Sequence, residues 1–247
     1  MLRPKWETLL HKHFGQRLPE NYLCFDLETT GLKRSFDLPI DFGWVLVAGR
    51  EIADSGNFVL DWTRRPEWAE PGWLAEQLER VRGQLAAKGV GWDYTPQRLQ
   101  AEGEDPLWVL EFAHSLLAES ARQAWPAVGH NAYTYDIPML TSCFNEFLSS
   151  PWPVPEALII DTGCLEKAAC SRDILNPAYH VTPAADEAPV AFFKRCYNRR
   201  LPGVLWNIAE CVKRYELTSR HDLQAQHLHG AATDALALHY LLELNRE

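Results

Sequence analysis

The chain holds no C-x-x-C pair and no histidine–cysteine cluster at zinc-binding spacing; its six cysteines are scattered at positions 24, 143, 164, 170, 196 and 211. That excludes a disulfide-framed miniprotein or a zinc ribbon, and reads as reduced, mostly buried thiols of a cytoplasmic protein. No run is long and apolar enough to cross a bilayer. The start, Met1-Leu2-Arg3-Pro4-Lys5-Trp6-Glu7, has basic residues without the apolar stretch of a secretory signal. There is no Gly-rich phosphate loop and no G-x-S-x-G elbow, which argues against P-loop and serine-hydrolase chemistry. Internal repeats and low-complexity tracts are also missing. Basic residues are scarce, with 24 Lys and Arg against 33 Asp and Glu, a formal charge of −9. Phosphate recognition leaves a basic footprint, so this balance disfavours tight binding along a long duplex. It still allows a protein that grips a few nucleotides, provided cations neutralise some of the acids.

What is present suffices for a substantial core: 47% of the 247 residues are hydrophobic. Trp6, Leu9, Leu10 and Phe14 fall at helical spacing. Tyr22–Leu27, Asp41–Ala48 and Glu51–Leu60 read as three strands, the last two joined tightly around Gly49-Arg50. Short connections between successive strands imply an antiparallel meander. Asp105-Pro106 looks like an N-cap followed by proline at the first helical position, with Leu107, Leu110, Ala113, Leu116 and Leu117 on one face. Strands at Ala127–His130 and Ala157–Asp161 then alternate with helices at Ile137–Leu148, Val204–Tyr215 and Ala231–Leu244. A meander followed by β-α units is the order of an α/β protein with an RNase H-like mixed sheet.

Three short motifs carry acids on this framework. Phe25-Asp26-Leu27-Glu28-Thr29-Thr30-Gly31-Leu32 ends a strand, and residues two apart on a strand share a face. Asp26 and Glu28 side by side repel one another and call for a cation; hard oxygen ligands select Mg²⁺ or Mn²⁺. A lone D-x-E could equally be a solvated strand end. Gly129-His130-Asn131-Ala132-Tyr133-Thr134-Tyr135-Asp136 places an acid where a helix begins, so helix capping explains Asp136 about as well as ligation does when that segment is read alone. His229-Gly230-Ala231-Ala232-Thr233-Asp234 adds a histidine and an acid at H-x4-D spacing near the start of the last helix.

Together the three motifs resemble the DEDDh branch of the DnaQ-like 3′→5′ exonucleases, which includes polymerase proofreading subunits and RNase T. The second motif is one residue longer than the commonest family pattern, with Tyr135 in place of phenylalanine. The tyrosine branch would need Tyr where Gly230 stands, so the histidine branch is indicated. The resemblance implies a mixed five-stranded sheet flanked by helices over 1–247, with helical or loop insertions at about 62–103 and 166–202. It implies catalysis by Asp26, Glu28, Asp136, His229 and Asp234, and two divalent cations, Mg²⁺ or Mn²⁺. Asp26 would bridge both ions, Glu28 and Asp234 would complete one, and Asp136 would serve the other. His229 would be the general base, with His227 idle. Thr29, Thr30 and Leu32 would hold the 3′-terminal nucleotide, with His130 and Asn131 as further substrate contacts. Asp161 matches a recurrent strand end and is read as a helix cap.

The function this implies is removal of nucleotides from the free 3′ end of single-stranded or frayed DNA. The alternatives are RNA trimming of the oligoribonuclease type and, more distantly, a non-catalytic nucleic-acid-binding protein on the same fold. The partner is a nucleic acid, not a membrane. One further segment, Phe192-Phe193-Lys194-Arg195-Cys196-Tyr197-Asn198-Arg199-Arg200, interleaves aromatic and basic residues as a single-strand surface does. A helix with a buried aromatic side and a solvated basic side explains it as well.

Overall fold

The computed structural model describes residues 6–33, 36–170, 178, 181–198, 207–220, 223 and 230–246. Helix α1 (Trp6–Phe14) precedes three strands, β1 (Tyr22–Thr29), β2 (Pro39–Ala48) and β3 (Glu51–Val59). These form the meander, with β2 antiparallel to both neighbours. Gly49 and Arg50 turn the β2–β3 hairpin at φ 59° and 73°, the left-handed pair that matches strand twist in a two-residue loop. The outer strand β3 is exposed and polar over most of its length, as a free sheet edge should be.

Four helices follow in various settings: α2 (Pro71–Ala86), α3 (Pro96–Glu102), α4 (Pro106–Arg122) and, after strand β4 (Ala127–Gly129), α5 (Asp136–Phe147). The first three start alike. Glu70, Thr95 and Asp105 each accept a backbone N–H from the first turn, and proline occupies the first helical position. Strand β5 (Ile159–Asp161) is shorter than the apolar run Ala157–Asp161 suggested. Glu156–Leu158, directly after Pro155, forms a 3-10 turn instead. Helices α6 (Thr162–Cys170), α7 (Pro189–Tyr197), α8 (Ile208–Arg214), α9 (Leu217–Arg220) and α10 (Ala231–Leu244) complete the described chain. Asn207 caps α8 by accepting the Glu210 N–H at 2.9 Å. That helix therefore begins after the expected Val204, which lies outside the described residues.

The sheet order is β3-β2-β1-β4-β5, with β1–β4 and β4–β5 parallel. This mixed five-stranded sheet, helices on both faces, is the RNase H-like architecture. Strand alternation divides the core in two. Tyr22 and Cys24 of β1, with Val45 and Val47 of β2, meet α1 and α6 to α10. Leu23, Phe25, Phe42 and Trp44 face the other way, onto α2 to α5. Extending the alternation places Asp26 and Glu28 on the α10 face. In α7, Phe192 and Phe193 are buried, while Lys194 pairs with Glu156 and Arg195 with Glu187. Over its described residues the plain amphipathic reading of that segment is the one the structure supports; Arg199 and Arg200 lie outside the described residues. Among the described residues no helix is long and apolar enough to cross a membrane.

Candidate active site

Directly across from Asp26 on β2 lies Gly43. A Cβ there would stand 2.1 Å from the carbonyl carbon of Ala231, so only glycine lets the first turn of α10 rest on the sheet. That close approach carries Asp234, the fourth residue of α10, over the end of β1. Ligand atoms of Asp26, Glu28 and Asp234 come within 4.8 Å of one another, as a metal-holding group does. Oxygens on one Mg²⁺, bound at about 2.0–2.1 Å, can stand about 4 Å apart. A hard divalent cation thus fits this all-oxygen set with little movement.

Asp136 enters from the opposite side. The N–H groups of alternate β1 residues point toward β4, where Leu23 donates to Pro126 at 2.9 Å. By Leu27 the β4 strand has ended, and Asp136 Oδ1 accepts the Leu27 N–H at 3.2 Å in its place. Asp136 is the first residue of α5, yet its carboxylate reaches across to β1. It therefore does more than cap a helix.

The second motif is held in shape by Asp161. Its carboxylate accepts the N–H groups of Asn131 at 3.0 Å, Tyr133 at 3.2 Å and Cys164 at 3.1 Å, capping α6 and bracing the loop before α5 together. Asn131 takes a left-handed φ of 58°. His130 Nδ1 lies 2.9 Å from Thr162 Oγ1, which donates to the Gly129 carbonyl at 3.2 Å. Because that hydroxyl proton goes to Gly129, we infer that His130 Nδ1 is the donor to Thr162.

The acids raise one another's proton affinity. Asp26 is pushed well above the usual carboxylate range, first by burial and then by Asp234, Asp136 and Glu28. Glu28 is raised by burial and by Asp234, partly offset by a hydrogen bond from Trp92. Asp136 rises to about 7, chiefly through burial, with backbone N–H groups opposing. Such a cluster is costly when ionised and bare, and a divalent cation reverses the sign of that interaction.

A cleft of about 370 Å³ opens over the acids, lined by Asp26, Glu28, Asp136 and Asp234 together with Thr29, Leu32, His130 and Asn131. Leu32 is 69% exposed at its edge. Thr30 is turned inward: its N–H donates to Leu38 O, its hydroxyl to Asp37, and its carbonyl accepts from Arg80. Its polar groups hold the loop that presents Thr29 and Leu32. His229, the expected base, and His227 lie outside the described residues.

Sequence reasoning missed a second shell contributed by the 62–103 segment. Val81, Gln84, Leu85 and Lys88, in and just after α2, line the far wall of the cleft. Trp92 Nε1 donates to Glu28 Oε2 at 3.0 Å. Asp41, across from Glu28, is buried and accepts from the Tyr94 hydroxyl and, at 2.9 Å, from Asn57 Nδ2. Burial raises Asp41, against these bonds and the Ala231 backbone N–H, which lower it. No local pattern in the sequence announces such contacts.

No protein-family model matches the chain, and no curated protein matches it in sequence. Solved structures do match. E. coli Exonuclease I in complex with a dA16 oligonucleotide aligns with a TM-score of 0.51 at 17% identity, over 93% of this chain and 41% of that one. The complex with a dT13 oligonucleotide gives 0.53 at 16% identity, over 92% and 41%. The zinc-bound form of the Exonuclease I–ssDNA complex gives 0.51 at 16% identity, over 93% and 40%. This chain thus spans about two-fifths of the length of those structures and shares their fold, the DnaQ-like exonuclease fold that the motifs imply.

Proposed function

We propose that this chain is a metal-dependent 3′→5′ exonuclease that releases nucleotides from the free end of single-stranded or frayed DNA. The observation that carries the reading is the convergence of Asp26, Glu28, Asp136 and Asp234, from three separate elements, on the floor of one cleft. Here the acids are brought to one another. Asp26, Glu28 and Asp234 would hold one Mg²⁺ or Mn²⁺, and Asp26 with Asp136 a second. When bound, such ions neutralise charge building on the phosphate and lower the pKa of the attacking water. His229, by its H-x4-D spacing, would take the proton from that water. Leu32, a large apolar side chain left in solvent beside the acids, would pack on the terminal base, and Thr29 would contact its sugar. His130 and Asn131 would line the path of the adjoining phosphate.

The cleft's roughly 370 Å³ falls within the about 300–1,000 Å³ typical of ligand clefts, enough to take an unpaired terminal nucleotide. Exonuclease I, which shares the fold, has been captured with single-stranded oligonucleotides, and this supports DNA over RNA as the first substrate to try. RNA trimming is the second reading, since the motifs do not distinguish the sugar.

The deciding assay compares end-labelled single- and double-stranded DNA and RNA of matched sequence, with 3′-hydroxyl and 3′-phosphate ends, in Mg²⁺. Single nucleotides should be released from 3′-hydroxyl single-stranded DNA, a 3′-phosphate should block, and a 5′ block should not matter. Faster release from RNA would install the second reading. Efficient cutting of circular single strands would overturn both.

A further inference from the structure

One acid of the cleft, Glu28, is held by a segment that the motifs do not include. Trp92 is 6% exposed and offers a single polar atom, the indole N–H, which is committed to Glu28 Oε2 at 3.0 Å. The indole cannot easily turn away. Its ring packs on Tyr94 at 5.1 Å between centroids, and Tyr94 is 2% exposed with its hydroxyl bound to Asp41. The Arg98 guanidinium lies over the other ring at 4.4 Å. Asp41 in turn is fixed by Asn57. One of the two Glu28 oxygens is therefore tied sideways to a rigid aromatic pair, and the other remains for a cation.

This bears directly on ion choice. Mg²⁺ demands near-ideal octahedral geometry at about 2.0–2.1 Å, which a two-oxygen bite from one carboxylate distorts. Ca²⁺ takes about 6–8 oxygens at longer distance and accepts carboxylates through both oxygens. Resting on the metal-dependent reading of the cleft, we propose that Trp92 is a positioning residue that keeps Glu28 a one-oxygen ligand and so selects Mg²⁺ over Ca²⁺. The Tyr94–Asp41 contact is the brace that holds Trp92 to that task.

The test is calorimetric titration of the metal-free protein with Mg²⁺ and, separately, Ca²⁺, in wild type and Trp92→Phe, with melting curves alongside. Groups that orient a metal ligand are worth roughly 10–100-fold in affinity. Trp92→Phe should bind Mg²⁺ about 10-fold more weakly and Ca²⁺ as well as wild type or better, so Ca²⁺ should become a stronger inhibitor of Mg²⁺-supported cleavage. Equal loss for both ions would mean that Trp92 only packs, and no change in either would mean that its hydrogen bond is idle; each result overturns the proposal. If Trp92→Phe fails to fold, 3-benzothienylalanine at position 92 replaces the N–H with sulfur at nearly constant shape and is judged by the same ratio. Asp26→Asn separates this inference from the reading beneath it. Retained metal binding and activity in that variant would remove the metal site itself, whereas their loss, with an unchanged ion ratio in the Trp92 variant, removes only the role of Trp92.

Discussion

Two groups of acids in this molecule are built on opposite principles. Glu166, fully buried on α6, accepts from Trp6 Nε1 at 3.0 Å, from the Tyr215 hydroxyl at 2.8 Å, from the Cys170 thiol at 3.2 Å and from the Arg214 guanidinium. It ties α1, α6 and α8 together. Asp161, also fully buried, gathers three backbone N–H groups to the same end. The cleft acids have like charges for neighbours; burial first, and then those charges, raise the proton affinities of Asp26 and Glu28, and burial chiefly raises that of Asp136. A buried acid surrounded by donors is a fastener. Acids that surround one another make a seat for a cation, and the protein bears the cost of keeping that seat ready.

The sharpest way to break this comparison is to neutralise one acid of each kind. Asp26→Asn should lower kcat by more than the about 10²–10³-fold lost with a single oxyanion donor, since on the proposed reading it removes a ligand shared by two ions, while the melting temperature holds or rises. Glu166→Gln should do the reverse. It leaves Arg214, whose side chain is only 18% exposed, facing a neutral partner; breaking a buried pair costs about 3–5 kcal/mol. Urea denaturation should show that loss, while turnover per folded molecule stays near wild type. A folded Asp26→Asn enzyme at near wild-type rate, or a Glu166→Gln enzyme that is stable but dead, would collapse the distinction.

A smaller effect should follow from moving an acid without altering it. In Gly43→Ala the new methyl meets the Ala231 backbone, which cannot rotate aside. The first turn of α10 must lift, taking Asp234 off Asp26. Misplacement by about 1 Å can cost about 10²-fold in rate, and overpacking about 1–3 kcal/mol in stability. Gly49→Ala is the matched control: φ there is 59° with open space around it. It should cost about 1–2 kcal/mol through the left-handed backbone alone, with kcat unchanged. Equal rates in the two variants would show that the approach of α10 to the sheet does not set the site.

How much of this could be read from the chain divides along the same line. Asp26 and Glu28 stand out because a strand of alternating apolar residues ends in two acids on one face, and Asp136 and Asp234 because each opens a helix after a recognisable turn. Those are local signals, and so is the proline-led helix start at 106. The meander and its β-α continuation follow from strand length and turn residues. What stayed hidden is long-range. Trp92 meets Glu28 across 64 residues and Tyr94 meets Asp41 across 53, with no periodicity linking either pair. An indole looks the same in sequence whether its N–H has a task or none. Thr30 errs in the other direction. The T-T-G-L pattern points to substrate, but the fold spends this threonine's polar groups on Leu38, Asp37 and Arg80. The strand expected from Ala157 is shorter because Pro155 sets a 3-10 turn, which apolar content alone does not reveal.

The smallest effect is thermodynamic and needs no substrate. A carboxyl whose folded pKa lies above its unfolded value, about 3.9 for Asp, binds its proton more tightly in the folded protein. Its contribution to stability is then complete below the unfolded value and is lost as pH rises through the folded one. For Asp136 that upper limit is about 7, and Asp26 and Glu28 shift in the same direction. Metal-free protein in chelator should therefore lose stability between about pH 4 and pH 7 on account of the cleft. Asp136→Asn should flatten the slope, and Mg²⁺ added above pH 7 should restore what wild type has lost. A change of about 1 kcal/mol moves Tm by roughly 2–4 °C in a chain of this size, which differential scanning calorimetry resolves. A wild-type Tm that falls no faster than that of Asp136→Asn over this range, in the presence of chelator, would mean that the acids do not strain the metal-free fold, and the contrast with Glu166 would be one of geometry alone.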